Sequence, residues 1–203
     1  MKRLLQRFRF VRSLLVLAYL ALLTTVGCVS TRHIGVGESV QLGPNEGILV
    51  VHVSSNVEVA SARFGSGVIE NLSEGHHIEL YVVSAGKHRW SEIRVANSGQ
   101  PRFRPPRDED LVFRVVPGRI NYVGLLDLHL LRSGRLWYRT IDRSAIAIGI
   151  LEKQHPEILR EHPTVYSGRG QSVFLAKYQQ ARARASPDPV SDPIAVKAGE
   201  PRP

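Results

Sequence analysis

The sequence predicts a mainly β protein: an antiparallel β-sandwich of about seven strands, followed by one or two short C-terminal helices. Three observations carry that expectation. Between Glu46 and Asp142 the chain is a series of short apolar runs separated by Gly, Pro, Asn and Ser, the pattern of strands joined by tight turns. Within several runs apolar and polar residues alternate, and a period of two belongs to strands with one wet face. From Arg143 to His162 the spacing changes, and Ile146, Ile150 and Leu151 fall on one side of a helix.

The runs can be taken in order. Ile48 to Val53 is continuously apolar apart from His52 and stops at Ser54-Ser55-Asn56. Val57 to Phe64 ends at Gly65-Ser66-Gly67, Ile78 to Val83 at Ser84 to Lys87, and His88 to Val95 at Asn97-Ser98-Gly99. Leu111 to Val116 runs into Pro117-Gly118, which predicts a hairpin to Ile120–Leu131, with proline setting φ and glycine taking positive φ. Ser133-Gly134 predicts a second hairpin, to Leu136–Ile141. Strict alternation places Ile120, Tyr122, Leu126, Leu128 and Leu130 on one face, opposite Asn121, Asp127 and His129. Gly124 interrupts that apolar face and marks a bulge or a close approach by another element.

After the strands, Asp142 or Ser144 is placed to cap a helix. His155-Pro156 ends it, because the residue before proline avoids the α region. Pro156 then opens a second helix as a first-turn proline, and His162-Pro163 ends that one. Phe174 to Ala183 reads as a short amphipathic helix. The organisation expected is therefore 1–27 as an export signal, 28–45 as a linker, 46–142 as the sandwich, 143–180 as a helical extension and 181–203 as a disordered, Pro-rich tail.

The N-terminus has the parts of a cleavable export signal. Lys2, Arg3, Arg7, Arg9 and Arg12 precede a short, mostly apolar run from Ser13 to Val26, shorter than the roughly 20 residues that span a bilayer. Thr25-Val26-Gly27-Cys28 resembles a bacterial lipobox, although Thr25 stands where a branched aliphatic is usual. The resemblance implies cleavage between Gly27 and Cys28 and lipid attachment, with palmitate-type acylation, at Cys28. More than one acyl chain gives stable anchoring. Val29, not Asp, follows the cysteine, and in a Gram-negative envelope that resembles an outer-membrane address. Cys28 is the only cysteine, so no disulfide supports the fold. Of the 27 basic residues five lie in the signal, which leaves 22 against 18 acidic and lowers the net charge from +9 to +4. That mild excess does not point to nucleic acid.

The turn and core residues carry a further resemblance. Val115-Val116-Pro117-Gly118-Arg119-Ile120-Asn121-Tyr122-Val123-Gly124 resembles the V-x-PG-x-x-x-Y-x-G segment of small proteobacterial lipoproteins, and Ser84-Ala85-Gly86-Lys87-His88 resembles a turn of the same modules. These domains are similar to PEGA, transthyretin-like and carboxypeptidase-regulatory-like β-sandwiches. The resemblance implies binding, display or spacing rather than catalysis.

No residue set reads as a cofactor, metal or catalytic site. His76 and His77 are neighbours that a strand points to opposite faces, and with His88 they lack a zinc-ligand spacing. Asp127 and His129, with Ser133 nearby, lack the Gly-x-Ser-x-Gly elbow of a serine hydrolase. Gly168-Arg169-Gly170 lacks the Lys-Ser/Thr of a phosphate loop. Arg102, Arg104 and Arg107 form a basic Pro-rich loop suited to an anionic partner, offset by Asp108, Glu109 and Asp110. Two functions follow as expectations. The first is a lipid-anchored envelope protein that acts without catalysis, its partners being the membrane and an envelope protein or surface polymer. The second is an envelope hydrolase of peptidoglycan or glycan acting near Asp127 and His129.

Overall fold

The computed structural model describes residues 31–65, 67–96, 101–105 and 109–185. Gly27, Cys28 and Arg107 lie outside the described residues. The architecture is mainly β, two packed sheets with helices on one outer face, in agreement with the sandwich expected from the turn pattern.

Eleven strands form among the described residues: β1 Arg32–Ile34, β2 Glu46–Ser55, β3 Val59–Phe64, β4 Gly67–Leu72, β5 Gly75–Ser84, β6 Gly86–Val95, β7 Arg102–Phe103, β8 Val112–Val115, β9 Ile120–Leu130, β10 Leu136–Ile141 and β11 Thr164–Tyr166. The larger sheet runs β1-β5-β2-β9-β10, with β11 also beside β9. The smaller runs β4-β3-β6-β7, with β8 beside the start of β6. Helices α1 Ser144–Gln154, α2 Pro156–Glu161 and α3 Val173–Ala185 follow.

The larger sheet is buried on both faces along much of its length. One core lies between the sheets and includes Leu49, Val51, Val53, Phe64, Trp90, Phe113, Leu126 and Leu128. A second lies between the larger sheet and the helices, with Ile48, Val50, Leu80, Ile120, Tyr122, Ala147, Ile148, Leu151 and Leu159. Double burial explains why Ile48 to Val53 lacks alternation: odd residues fill one core and even ones face the other. Full burial of each such side chain contributes about 1.5–3 kcal/mol.

Several expectations change. β2 and β9 are parallel, as are β9 and β11, so the larger sheet is mixed. Gly67–Leu72 and Thr164–Tyr166 are additional strands. Pro117-Gly118 does turn the chain, with Gly118 at φ 69°, but it makes no hairpin. β8 pairs with β6 in the smaller sheet while β9 enters the larger one. Asn121 stabilises that crossing. Its fully buried side chain donates to the carbonyls of Ile48, Val116 and Arg119 and accepts from the Val116 N–H and the Ser167 hydroxyl. The Ser133-Gly134 hairpin forms, β9 and β10 being antiparallel neighbours.

The lead expected as a linker is partly structured. β1 pairs with β5, and Ile34 and Val40 are buried in the helix-side core. At the other end α3 continues to Ala185, into the stretch expected as a disordered tail. The rest of that tail lies outside the described residues.

Alternation along β9 changes phase at Gly124. Ile120 and Tyr122 face the helices, whereas Leu126 and Leu128 face the inter-sheet core. Gly124 has φ 96°, and between the Tyr122 and Leu125 pairings the two residues Val123 and Gly124 of β9 lie opposite the single Val51 of β2. This is the bulge the glycine marked, and it overturns the single apolar face expected for the strand. Gly124 also admits a close neighbour: an added Cβ would lie 2.7 Å from Thr140 Cγ2.

Candidate functional site

Beyond the reach of the helix-side core, the outer face of the larger sheet opens into a cleft of about 640 Å³. Its floor is two transverse rows of the sheet. His76, Ser54, Asp127 and Arg139 form one row through the β5-β2-β9-β10 register. Ile78, His52, Leu125 and Ile141 form the next. All eight line the cleft, and Arg143, Ile146, Ile150 and Gln154 of α1 and its approach form the opposite wall. Same-face rows lie about 7 Å apart along a strand and neighbours within a row about 4.8 Å apart. The floor is therefore a polar stripe beside a mainly apolar one.

The polar stripe is internally satisfied. Arg139 Nε donates to Asp127 Oδ2 at 3.0 Å, and His129 Nε2 lies 3.0 Å from Oδ1. Asp127 is nearly buried while both partners are half exposed. The Arg139 guanidinium also stacks 4.9 Å from the Trp137 ring centroid. Ser54 Oγ and His76 Nε2 are 3.5 Å apart, at the outer limit of a hydrogen bond.

His52 sits beneath the cleft with only 3% exposure. Burial, reinforced by neighbouring His76 and Arg143, pushes its pKa down to about 4, so its imidazole is neutral near pH 7. The hydrogen bonds fit that state. The Arg143 backbone N–H donates to the Tyr122 hydroxyl at 3.3 Å, which leaves the hydroxyl proton for His52 Nδ1 at 3.1 Å. Burial raises the Tyr122 pKa, so the phenol stays protonated.

α1 is placed by local chemistry as well as packing. Asp142 Oδ1 accepts the Ser144 N–H at 2.9 Å. Ser144 and Ser172 hydroxyls are 2.8 Å apart, and Ser172 Oγ accepts the Leu175 N–H at the start of α3. Ala147, Ile148 and Leu151 are buried against the sheet, whereas Ile146 on the other side is half exposed at the cleft.

The structure thus brings Asp127 and His129 together and joins to them residues that the sequence left unmarked: His52, Ser54, Arg139 and Arg143. Alternation along β9 pointed to Asp127; the contribution of the other strands depends on register. Ser133 lies in the β9–β10 turn and does not line the cleft. His77 Nε2 meets the Ser73 carbonyl at 2.7 Å and His88 Nε2 the Ser84 carbonyl at 2.8 Å. Among the described residues no group of three or more His, Cys, Asp or Glu side chains is arranged to hold a metal ion.

The basic loop lies on the other sheet. Arg102 is in β7, and Glu92 on neighbouring β6 gathers Arg94 at 2.8 Å and Arg104 at 3.6 Å. The Arg94 guanidinium holds the Glu92 carboxyl below its usual range. Among the described residues Arg104 pairs with Glu92, and Asp110 pairs with Arg169. No helix among the described residues is long and apolar enough to cross a membrane. No family model, curated protein or solved structure matches the chain.

Proposed function

We propose that this protein is a lipid-anchored cell-envelope binding module, tethered through Cys28 and holding its ligand or partner in the cleft between the larger sheet and α1. The observation that carries the reading is the paired floor of the cleft, one polar row beside one largely apolar row, faced across the cleft by α1. Small-molecule and peptide sites combine apolar lining with a few placed polar groups in this way.

Two further features support it. Arg32, Val82, Ile48 and Ile120 share one row of the sheet, so the chain enters β1 at the Ile48 end. Ser54 lies six residues along β2, about 20 Å toward the opposite end. A tether ending at Thr31, three residues after Cys28, attaches far from the cleft and leaves it accessible to an envelope protein or surface polymer. Asp127 has both carboxylate oxygens engaged, by His129 and Arg139, an arrangement suited to holding a surface in shape. Val29 favours the outer membrane if the envelope is Gram-negative. The likeness to PEGA and transthyretin-like lipoproteins is part of the same proposal and rests on Pro117, Gly118, Tyr122 and Gly124.

Two measurements test the reading. Intact mass of the membrane fraction should show a chain that begins at Cys28 and carries acyl mass, lost in Cys28→Ala. A photo-crosslinking residue at Ile146 should give a discrete envelope adduct that one at Arg63, on the smaller sheet, does not. Release of peptidoglycan or glycan fragments by wild type and not by Asp127→Asn would replace this reading with the hydrolase.

A further inference from the structure

The geometry points to a specific ligand chemistry for the cleft: a small anionic amphiphile, its acid group at Arg143 and its hydrocarbon body across Ile78, Leu125 and Ile141 beneath Ile146 and Ile150. The inference rests on the reading of the cleft as the binding surface and adds the class of ligand.

Charge is the first reason. The residues that line the cleft include two arginines, Arg139 and Arg143, and one acidic residue, Asp127. Arg139 and Asp127 neutralise each other at 3.0 Å. Arg143 is exposed and makes no ion pair among the described residues. Its positive charge reaches far enough into the cleft to oppose protonation of His52. A carboxylate or phosphate placed there gains a charge-assisted, two-pronged hydrogen bond from an arginine, whereas a cation meets repulsion with no free carboxylate to receive it.

The hydrocarbon requirement is independent of charge. Ile78, Leu125 and Ile141 lie in one row, and Ile146, an apolar residue of α1, is 53% exposed at the cleft wall. A bare anion such as phosphate would leave the exposed surface of this strip, at Ile78, Ile141 and Ile146, in water, Leu125 being already buried. An aliphatic body removes it at about 25 cal/mol per Å². A volume of about 640 Å³ is in the range of small-ligand sites. The Ser54 hydroxyl, in the polar row next to buried His52, provides an uncharged polar contact for the part of the ligand that joins acid to chain.

The full chain is titrated calorimetrically with decanoate, decyl phosphate, decanamide and acetate, each below its aggregation threshold. Decanoate or decyl phosphate should bind at least tenfold more tightly than decanamide, and acetate should give no heat; the tighter of the two acids identifies the headgroup. Arg143→Gln should erase the preference for acid over amide, and Arg143→Lys should restore part of it. Ile146→Asp, at an exposed position that leaves the core intact, should weaken both acids at least tenfold. Unchanged acid preference in Arg143→Gln, or equal binding by Ile146→Asp, would overturn the inference and assign the heat to association elsewhere on the chain. If the Ile146 crosslink captures an envelope partner while all four probes give no heat, the ligand class is wrong and the binding module stands. If decanoate binds as described and no acylated Cys28 is found, the ligand class stands and the lipid-anchor reading fails.

Discussion

At the Ile48 end of the larger sheet, the outer face presents Ile48, Val50, Ile120 and Tyr122 to the helices. At the Ser54 end of the same strands it presents His76, Ser54, Asp127 and Arg139 to an open cleft. The two halves differ through one residue. If β9 kept its phase, Leu126 and Leu128 would follow Tyr122 onto the outer face and Asp127 would point into the inter-sheet core. The extra residue at Gly124 reverses this, sending the leucines inward and Asp127 outward. The partner of β9 changes at the same place, from β11 at Ile120–Tyr122 to β10 from Leu125 onward. A bulge thus divides the outer face into a half packed under the helices and a half that lines the cleft.

The comparison can be broken most severely at its hinge. Gly124→Val would force a branched side chain into φ 96° and against Thr140 and the Ile141 carbonyl. A loss of about 4 kcal/mol is expected in urea unfolding, the sum of backbone strain and overpacking. Wild-type stability in that variant would show that the bulge does not set the phase.

Next come the two cores. Leu128→Ala between the sheets and Leu159→Ala under the helices should each cost about 3 kcal/mol. A much smaller loss at Leu159 would show the helical layer to be loosely docked. Single, coincident transitions for both variants would show the layers unfolding together.

The buried imidazole sharpens the boundary between the halves. The folded-state pKa of His52, about 4, lies below the ordinary 6.5, so the unfolded chain binds more protons between those values. Stability should therefore fall as pH drops below 6.5, by about 2 kcal/mol at pH 5, and level off below pH 4. His155, also lowered by burial, acts in the same direction. His52→Gln should flatten most of the slope between pH 7 and 5 in urea titrations; an unchanged slope would assign it elsewhere. The smallest effect is expected for Arg139→Gln, no more than about 1 kcal/mol, because that guanidinium is half exposed.

Much of this molecule can be read directly from residue order. Turn residues and apolar runs locate β2, β5, β6, β9 and β10, and the Pro156 and Pro163 positions bound α2. β4 is harder to see because Glu70 and Asn71 interrupt its apolar positions, and β11 because three residues carry almost no periodicity. The Pro117-Gly118 turn is legible, but the same turn serves a hairpin or a crossing between sheets. Asn121 looks like a surface residue by alternation and is buried, because five hydrogen bonds satisfy its amide.

The candidate site is less legible than the fold. Asp127 and His129 are two apart on one strand, so local geometry alone joins them. Ser54, His76 and Arg139 come from strands 73, 51 and 12 positions away from Asp127 in sequence, and only sheet register sets them in its row. By itself the sequence determined the mainly β class, the turns, the lipobox-like segment at Cys28 and the glycine at which β9 changes phase. Those depend on local sterics, periodicity and short motifs. Tertiary structure decided the parallel pairing of β2 with β9, the burial of the larger sheet on both faces, and the rows that form the cleft. These depend on which strands meet and in what register, and that is fixed by the combined burial of two cores rather than by any one segment.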